Sequence, residues 1–359
     1  MSDIHAILQA ALELQPSDIH ISVGIPPVCR VNGQLTELCF EKNTCESVLE
    51  NLRTLLTEEQ LARLVQEGDL DVSLAYGEDN LVRMRLAAYR QRGSYSMALR
   101  VLNQRIPSFE ELGLPRAIAE QFCMLHYGLV LVTGPTGTGK TTSISAMIDW
   151  INHNRSCHVI TAEDPIEYFH RHDKSMVHQR EIGTDTKNFS TALREALRQD
   201  PDVLFIGEMR DMESVAVALT AAETGHLVFS TLHTVGAAKT INRIIDVFPR
   251  EQQQQVRVQL AMTLQGVISQ QLLLSADGSR RELANEILIT TPAVRNLIRE
   301  SHVQQIDNVI ATGTSLGMCT MEASLVDLVR RGRVTAEEAH AYALVPEQFE
   351  LLMQREKCK

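Results

Sequence analysis

Hydrophobic and polar positions in the first hundred residues change their spacing at definite points. Between residues 3 and 14 the apolar side chains recur at helical spacing behind a polar Asp3, which predicts a short amphipathic helix. From residue 18 to about 102 apolar and polar residues mostly alternate, and Asn32-Gly33 between two such runs is a strong β-hairpin signal. A helical stretch at about 45–67 interrupts this alternation. This part of the chain is therefore predicted to be a small α+β domain.

Between residues 116 and about 275, short apolar runs alternate with helical segments. The runs are almost continuously apolar, which is typical of parallel strands covered on both faces. This alternation predicts a doubly wound α/β core. The predicted strands are Leu129–Thr133, His158–Thr161, Val203–Ile206 and His226–Ser230, and the predicted helices are at about 139–152, 188–199, 211–224 and 236–245. From residue 280 onward almost every segment is predicted to be helical.

These patterns divide the chain into four parts. Pro107 and Gly113 mark a linker between the first two domains. The predicted parts are an N-terminal α+β domain at 1–102, a linker at 103–115, an α/β core at 116–275 and a helical C-terminal subdomain at 276–359.

A glycine-rich loop follows the first predicted strand of the core and opens a helix. Its sequence, Gly-Pro-Thr-Gly-Thr-Gly-Lys-Thr, matches the pattern of loops that bind nucleoside triphosphates. Glycines allow the backbone N–H groups to point at phosphate oxygens, lysine reaches the β- and γ-phosphates, and the hydroxyl of Thr141 is suited to Mg²⁺. The alternative is a glycine-rich turn that merely joins a strand to a helix. The predicted phosphate-binding residues are Gly134, Pro135, Thr136, Gly137, Thr138, Gly139, Lys140, Thr141 and Thr142.

Carboxylates follow two other predicted strands of the same sheet. Glu163, Asp164 and Glu167 come after the strand at 158–161, and Glu208 comes after the strand at 203–206. Nucleotide hydrolysis needs such groups to hold magnesium and align a water molecule. Because α/β sheets bind ligands at the carboxyl ends of their strands, we expect these acids near the loop. The alternative is a loop with solubilising acids.

Two further sets of side chains are candidates for contacts with phosphate, and each set also has a purely structural interpretation. His226 and His233 bracket the strand at 226–230, so γ-phosphate sensing is one interpretation, while a single histidine on a strand is usually structural. Several arginines lie on or between strands of the first domain, where arginine either protects a solvated sheet face or reaches a phosphate. They are Arg83, Arg85, Arg90, Arg92 and Arg100.

Composition narrows the function classes. The net charge of −11 argues against general affinity for nucleic-acid backbones. The seven cysteines include no Cys-x-x-Cys pair, which suits a reducing cytoplasm better than a disulfide framework or a zinc site. No apolar run approaches the length of a membrane span, so we expect any membrane association to come through a partner.

Motifs along nearly the whole chain resemble those of the bacterial type IV pilus retraction ATPases, the PilT-like branch of the secretion ATPase superfamily. The match covers Ser17-Asp-Ile-His20 with Gly24–Pro27, Pro107–Gly113, Gly134–Thr142, Ala162–Tyr168, Gln179–Gly183, Asp200–Asp202 with Gly207–Asp211, Ala222–His226 with Ser230–Thr234, and Ala293–Glu300. Ala162 and the region from His302 to Lys359 depart from the family pattern. Pilus assembly and type II secretion ATPases are longer and commonly carry a four-cysteine zinc insert, which is missing here.

The resemblance implies an architecture, a substrate and partners. It implies a PAS-like N-terminal domain, a RecA-like P-loop ATPase core and a helical C-terminal part. It further implies a cytoplasmic homohexameric ATPase that uses ATP and Mg²⁺ for pilus retraction and twitching motility. Such a motor would act on an inner-membrane platform protein, reach the pilus and the membrane only indirectly, and bind no nucleic acid directly.

The resemblance also implies roles for individual residues. Glu163 would orient and deprotonate the attacking water, and Glu208 would be the carboxylate near magnesium. His226 and His233 would form a histidine pair, Arg92 and Arg100 would reach the nucleotide from the N-terminal domain, and residues 293–300 would transmit force. The alternatives are an accessory or regulatory P-loop ATPase of a related pilus or secretion system, and a DNA-dependent P-loop ATPase.

Overall fold

The computed structural model describes residues 3–31, 34–77, 82–102 and 105–357. The chain forms two compact units, each with its own sheet and core. The first contains Met1–Arg105 and Glu167–Phe169, and the second contains Ile106–Ile166 and His170–Lys359.

The first unit is an antiparallel sheet with helices on one face. Its elements are α1 (Ile4–Glu13), β1 (Asp18–Ser22), β2 (Val28–Val31), β3 (Gln34–Glu37), α2 (Cys45–Leu55), α3 (Glu58–Glu67), β4 (Asp69–Tyr76), β5 (Val82–Gln91) and β6 (Ser94–Val101). The strands are ordered β3-β2-β1-β6-β5-β4, and alternate residues such as Ile19, Leu86 and Leu99 are fully buried. The predicted α+β fold is confirmed.

Local signals account for several of these elements. The Asp3 side chain caps α1 by accepting from His5 N, as the helical pattern predicts. The stretch predicted as one helix at 45–67 is two helices, because Thr57 begins a second one with a capping box. Val31 pairs with Gln34 as expected for the predicted hairpin, whose turn residues Asn32 and Gly33 lie outside the described residues.

The second unit contains a seven-stranded sheet flanked by helices. Its elements are α4 (Phe109–Leu112), α5 (Arg116–Cys123), β7 (Gly128–Thr133), α6 (Lys140–Asn154), β8 (His158–Glu163), β9 (Met176–Glu181), α7 (Phe189–Ala196), β10 (Val203–Ile206), α8 (Met212–Glu223), β11 (Leu227–Leu232), α9 (Ala237–Asp246), α10 (Arg250–Thr263), β12 (Leu264–Leu274), β13 (Arg281–Ile289), α11 (Pro292–Arg299), α12 (Ile306–Thr312), α13 (Met321–Arg330), α14 (Ala336–Ala341) and α15 (Pro346–Lys357). The confirmed class is an α/β core followed by helices.

The strand order β13-β12-β7-β11-β10-β8-β9 places β7 in the interior of the sheet. All paired neighbours in this sheet are parallel except β12 and β13. The chain leaves β7 towards α6 and returns as β8 beyond β11 and β10, so the strand order changes direction at β7. That is where a doubly wound sheet forms its ligand crevice.

The prediction that almost everything beyond residue 280 is helical is wrong for β13. Residues 281–289 pair antiparallel with β12, from Leu274 opposite Arg281 to Gly266 opposite Ile289. Most of β13 is buried, including the polar residues Asn285 and Glu286, so its sequence lacks the regular apolar–polar alternation of a half-exposed strand. The proposed boundary at 275/276 therefore falls inside a β-hairpin. The predicted strands also omitted β9 and β12, and the predicted linker contains the short helix α4.

Candidate nucleotide-binding and hydrolysis site

The phosphate-binding loop lies directly after the buried strand β7. Gly134 has φ +144°, and a Cβ at this position would lie 2.3 Å from the backbone oxygen of Gln270 on β12. Only glycine therefore allows the loop to pass so close to the neighbouring strand. Gly139, with φ +80°, precedes α6, and the Thr138 hydroxyl donates to Pro135 O at 2.9 Å. The loop is curled against the N-terminus of α6, the geometry that suits an anion.

Lys140 is buried at the base of this loop. Its ammonium nitrogen donates to the backbone oxygens of Gly134 and Pro135, at 2.9 Å each. The same nitrogen lies 3.4 Å from Nδ1 of His233. A lysine ammonium has donors only, so Nδ1 accepts and a neutral His233 carries its proton on Nε2. The lysine is therefore held under the loop by groups that phosphate oxygens can replace.

Glu208 follows β10 and faces His233 at the end of β11. Nε2 of His233 lies 3.1 Å from Oε1 of Glu208, while Nε of Arg210 lies 2.7 Å from Oε2. The hydrogen bond and the charge of Glu208 raise the pKa of Arg210 above its ordinary value. Lys140, His233, Glu208 and Arg210 thus form one continuous series of polar contacts at the carboxyl edge of the sheet.

Glu163 is the last residue of β8 and only 3% exposed. Its Oε1 accepts hydrogen bonds from the Thr161 hydroxyl at 2.6 Å and from the Gln179 amide at 3.1 Å. Gly207 packs closely beside it, because a Cβ there would lie 3.4 Å from Glu163 Cα. The two predicted carboxylates therefore come from neighbouring strand ends, as the sequence pattern indicates.

The two candidate histidines do not meet in this chain. His226 precedes β11 and contacts Ala221 O at 3.0 Å, whereas His233 follows the same strand. A strand of this length separates its ends by about 20 Å. Within one chain, therefore, His233 lies beside the loop and His226 does not, and a joint role of the two histidines at the γ-phosphate stays a prediction.

Arg92 and Arg100 belong to the first unit. Arg92 has φ +46° and, with Gly93, forms the two-residue turn between β5 and β6. Nε of Arg100 donates to Asp18 Oδ1 at 3.0 Å. Burial raises the pKa of Asp18, but hydrogen bonds from Ser17 and Arg100 together with the Arg100 charge outweigh it and lower that pKa overall. The approach of either arginine to a nucleotide stays a prediction.

Several contacts at the site involve residues to which the sequence analysis assigned no role. Thr161 and Gln179 hold Glu163, and Nη1 of Arg281 donates to Gly137 O in the loop at 3.2 Å. Gln270 lies against Gly134. Arg281 lies on β13 and Gln270 on β12, two strands that the sequence patterns did not predict. The pairing of β12 with β7 and of β13 with β12 brings these residues to the loop.

The site has the groups expected for magnesium bound together with a nucleotide. No group of three or more His, Cys, Asp or Glu in the described ranges could hold a metal ion by itself. Magnesium at phosphoryl-transfer sites usually takes one or two protein oxygens and completes its shell with phosphates and water. The hydroxyl of Thr141, at the start of α6, and the carboxylate of Glu208 fit that need. The curled loop supplies the phosphate cradle.

The sheet is parallel apart from β13, and it carries a glycine-rich loop after an interior strand, a buried lysine and carboxylates at neighbouring strand ends. Together these features define the P-loop class of nucleotide-binding α/β proteins. Within that class, the chain belongs to the Type II/IV secretion system protein family, whose model matches residues 1–348. This confirms the resemblance inferred from the motifs. Across the described residues, no helix is both long and apolar enough to cross a lipid bilayer.

The chain is similar to characterised proteins over nearly its full length. It is 43% identical over 347 residues to the type IV pilus retraction ATPase PilT of Pseudomonas aeruginosa, covering 97% of this chain and all of that one. It is 44% identical over 317 residues to a twitching motility protein of Neisseria gonorrhoeae, covering 88% and 84%. The crystal structure of the pilus retraction motor PilT with bound ADP gives a TM-score of 0.90 at 46% identity and covers 98% of this chain and all of that one.

Proposed function

We propose that this protein is a motor ATPase that couples ATP hydrolysis to the retraction of a type IV pilus. The observation that carries the proposal is the placement of His233 between Lys140 and Glu208. It joins the lysine expected at the β- and γ-phosphates to the carboxylate expected near magnesium. The pilus and its retraction are taken from the names of the relatives that match over most of their length.

Binding would begin at the loop. Its backbone N–H groups and the N-terminus of α6 favour the phosphates, and Lys140 would exchange the carbonyls of Gly134 and Pro135 for phosphate oxygens. Thr141 and Glu208 would hold magnesium, which when bound neutralises charge on the phosphates and stabilises the leaving group.

Hydrolysis would then require one carboxylate to orient and deprotonate water. Glu163 is suited to this role because two donors fix one of its oxygens, so its carboxylate plane is set before substrate arrives. His233 contacts both Lys140 and Glu208, so it would respond when the γ-phosphate is bound and when it is released. Those events would move the segment that carries it.

The motor would work as a homohexamer with ATP near a subunit boundary. Arg92 and Arg100 would reach the nucleotide from the N-terminal domain, as arginines do in phosphoryl-transfer sites. The ring would act in the cytoplasm on the inner-membrane platform protein of the pilus machine. It would contact the pilus and the membrane only through that partner.

Phosphate release by the purified protein with Mg·ATP tests the enzymatic half of the proposal. Lys140→Ala should weaken nucleotide binding and turnover together, because one side chain serves both. A parental protein that binds nucleotide without releasing phosphate would instead indicate a regulatory subunit. Single-stranded DNA should neither bind nor stimulate the enzyme.

The biological half is tested by deleting the gene. Cells should still make pili but fail to retract them and fail to twitch. Loss of the pili themselves would assign the protein to assembly and contradict the proposal.

A further inference from the structure

The segment that carries His233 crosses the carboxyl edge of the sheet. We call residues 233–236 the His233 segment. It begins where β11 ends, at Leu232, and ends where α9 begins, at Ala237. Leu232 pairs with Thr133 on β7, and Thr133 pairs with Ser269 on β12. The segment therefore starts at β11, beside the end of β7, and finishes over β12 and β13.

Two opposed side chains hold the far end of this segment. Ser269 and Glu286 are direct partners in the β12–β13 ladder. The Gly236 N–H donates to Ser269 Oγ at 2.9 Å, and the next N–H, that of Ala237, donates to Glu286 Oε1 at 2.7 Å. Two consecutive backbone N–H groups thus donate to side chains on two adjacent strands. The φ of +89° at Gly236, a conformation that favours glycine, makes this arrangement possible.

Both acceptors are buried, so their hydrogen bonds have little competition from water. Ser269 is 0% exposed and Glu286 6% exposed. A buried donor left without an acceptor lowers stability, so the segment gains strongly from keeping both contacts. Burial raises the pKa of Glu286 to about 7, and the Ala237 N–H opposes that rise. The charges of Asp307 and Glu322 contribute to that rise, and the charge of Lys239 opposes it.

We propose that Ser269 and Glu286 are positioning residues that hold His233 against Lys140 and Glu208 by anchoring the far end of the His233 segment. This inference deepens the proposed ATPase function and rests on it for its catalytic consequence. One end of the segment is fixed by the β11 ladder and the other by this pair. Because only a few residues separate the two ends, release of the anchor lets the imidazole leave a contact of 3.1–3.4 Å.

The test compares substitutions that remove the acceptor with one that keeps it. Glu286→Ala and Ser269→Ala each remove an acceptor, whereas Glu286→Gln keeps an oxygen for the Ala237 N–H. We expect Glu286→Ala to lower kcat about tenfold or more with less than about threefold change in nucleotide affinity. Glu286→Gln should restore most of the parental rate, and Ser269→Ala should fall between the two.

A matched variant separates positioning from general stability. Glu322 is also a buried carboxylate, but its Oε1 accepts from the N–H groups of Leu344 and Val345 and not from those of the His233 segment. Glu322→Ala should cost comparable stability and leave kcat near the parental value. If Glu286→Ala keeps the parental kcat, or if Glu322→Ala lowers kcat equally, the positioning role is wrong.

A second readout does not depend on ATP hydrolysis. Diethylpyrocarbonate modifies the unprotonated nitrogen of accessible histidines, and mass spectrometry gives the rate at each site. Modification of His233 should become several-fold faster in Glu286→Ala and Ser269→Ala, but not in Glu286→Gln or Glu322→Ala. His226, at the other end of β11, and the buried His170 report on unfolding and should not change. An unchanged His233 rate in Glu286→Ala overturns the inference even if the parental protein has no ATPase activity.

Discussion

Nε2 of His233 lies 3.1 Å from Oε1 of Glu208, and the other nitrogen of the same ring faces Lys140. One imidazole therefore bridges the cation of the phosphate-binding loop and the carboxylate of a neighbouring strand. We expect His233→Ala to retain nucleotide binding, because the loop and Lys140 remain, but to lower kcat about tenfold or more. Steady-state kinetics with nucleotide titration measure both quantities.

His226 provides the matched control for that substitution. It lies on the same strand but at the opposite edge of the sheet, where it contacts Ala221 and Thr224. In a monomeric preparation, His226→Ala should leave nucleotide affinity at the parental value. Equal loss of affinity in the two variants would contradict the assignment of His233 alone to the loop.

Glu163→Gln tests the general-base assignment. The amide keeps the size of the side chain but cannot accept a proton, so turnover should fall about 100-fold or more while nucleotide affinity stays nearly parental. Glu223→Gln, at the far end of α8, is the control and should have no comparable effect. If Glu163→Gln hydrolyses ATP at the parental rate, Glu208 or Glu167 becomes the candidate base.

Arg100→Ala tests whether the first unit takes part in catalysis. Arg100 forms an exposed ion pair with Asp18, and such pairs contribute little to stability. The variant should therefore fold and bind nucleotide but hydrolyse it poorly. Arg85→Ala is a matched control, since Arg85 pairs with Asp71 and lies directly opposite Arg100 in the same sheet. Equal kinetics for the two variants would remove the special role of Arg100.

The assembly prediction has its own measurement. Light scattering should give a hexamer at micromolar concentration with ATP present, for the parental protein and for Arg100→Ala. A monomer under these conditions would exclude a ring in which the nucleotide lies near a subunit boundary.

The pKa of Glu286 predicts a definite pH dependence of stability. Its folded-state pKa of about 7 exceeds the ordinary 4.5, so the folded chain holds this proton more tightly than the unfolded chain. The stabilisation that this proton gives the folded chain is complete below pH 4.5 and is lost as the pH rises through about 7. Relative to Glu286→Gln, the parental free energy of unfolding should fall by on the order of 3 kcal/mol across that window. Urea unfolding between pH 5 and 8 measures this, and a pH-independent difference would contradict it.

Testing whether residues 293–300 transmit force requires a variant that leaves stability and ATPase activity unchanged. Arg295 is not simply a surface charge, because its Nη1 donates to the backbone oxygens of Ala261 and Met262 at the C-terminal end of α10. Leu297 packs against the core of the second unit. Replacing both residues should therefore lower stability, so loss of retraction in that variant would not isolate force transmission.

Arg299 is the better residue for this purpose. It is exposed and hydrogen bonds to Asn296 within its own helix. Arg299→Ala should keep the parental ATPase rate and melting temperature but reduce retraction in cells. A proportional loss of ATPase activity and retraction would show that the segment is only structural.

The sequence alone determined the features that depend on neighbouring residues. The loop from Gly134 to Thr141 follows from its glycines, because no other residue adopts their positive φ values so readily, and its place between β7 and α6 follows from hydrophobic spacing. Helix starts at α1 and α8 follow from the capping side chains of Asp3 and Asp211. The position of the strand-end carboxylates near the loop could be predicted because parallel strands end at the same edge of the sheet.

The tertiary structure decided what depends on partners distant in the chain. Buried β13 is a strand because β12 satisfies its backbone hydrogen bonds, which no local pattern records. The same pairing places Ser269 beside Glu286 and brings both to the start of α9. The extended length of β11 separates His226 from His233, so only one of two similar residues reaches the loop. Sequence spacing predicts which chemistry is available, while strand pairing decides which atoms meet.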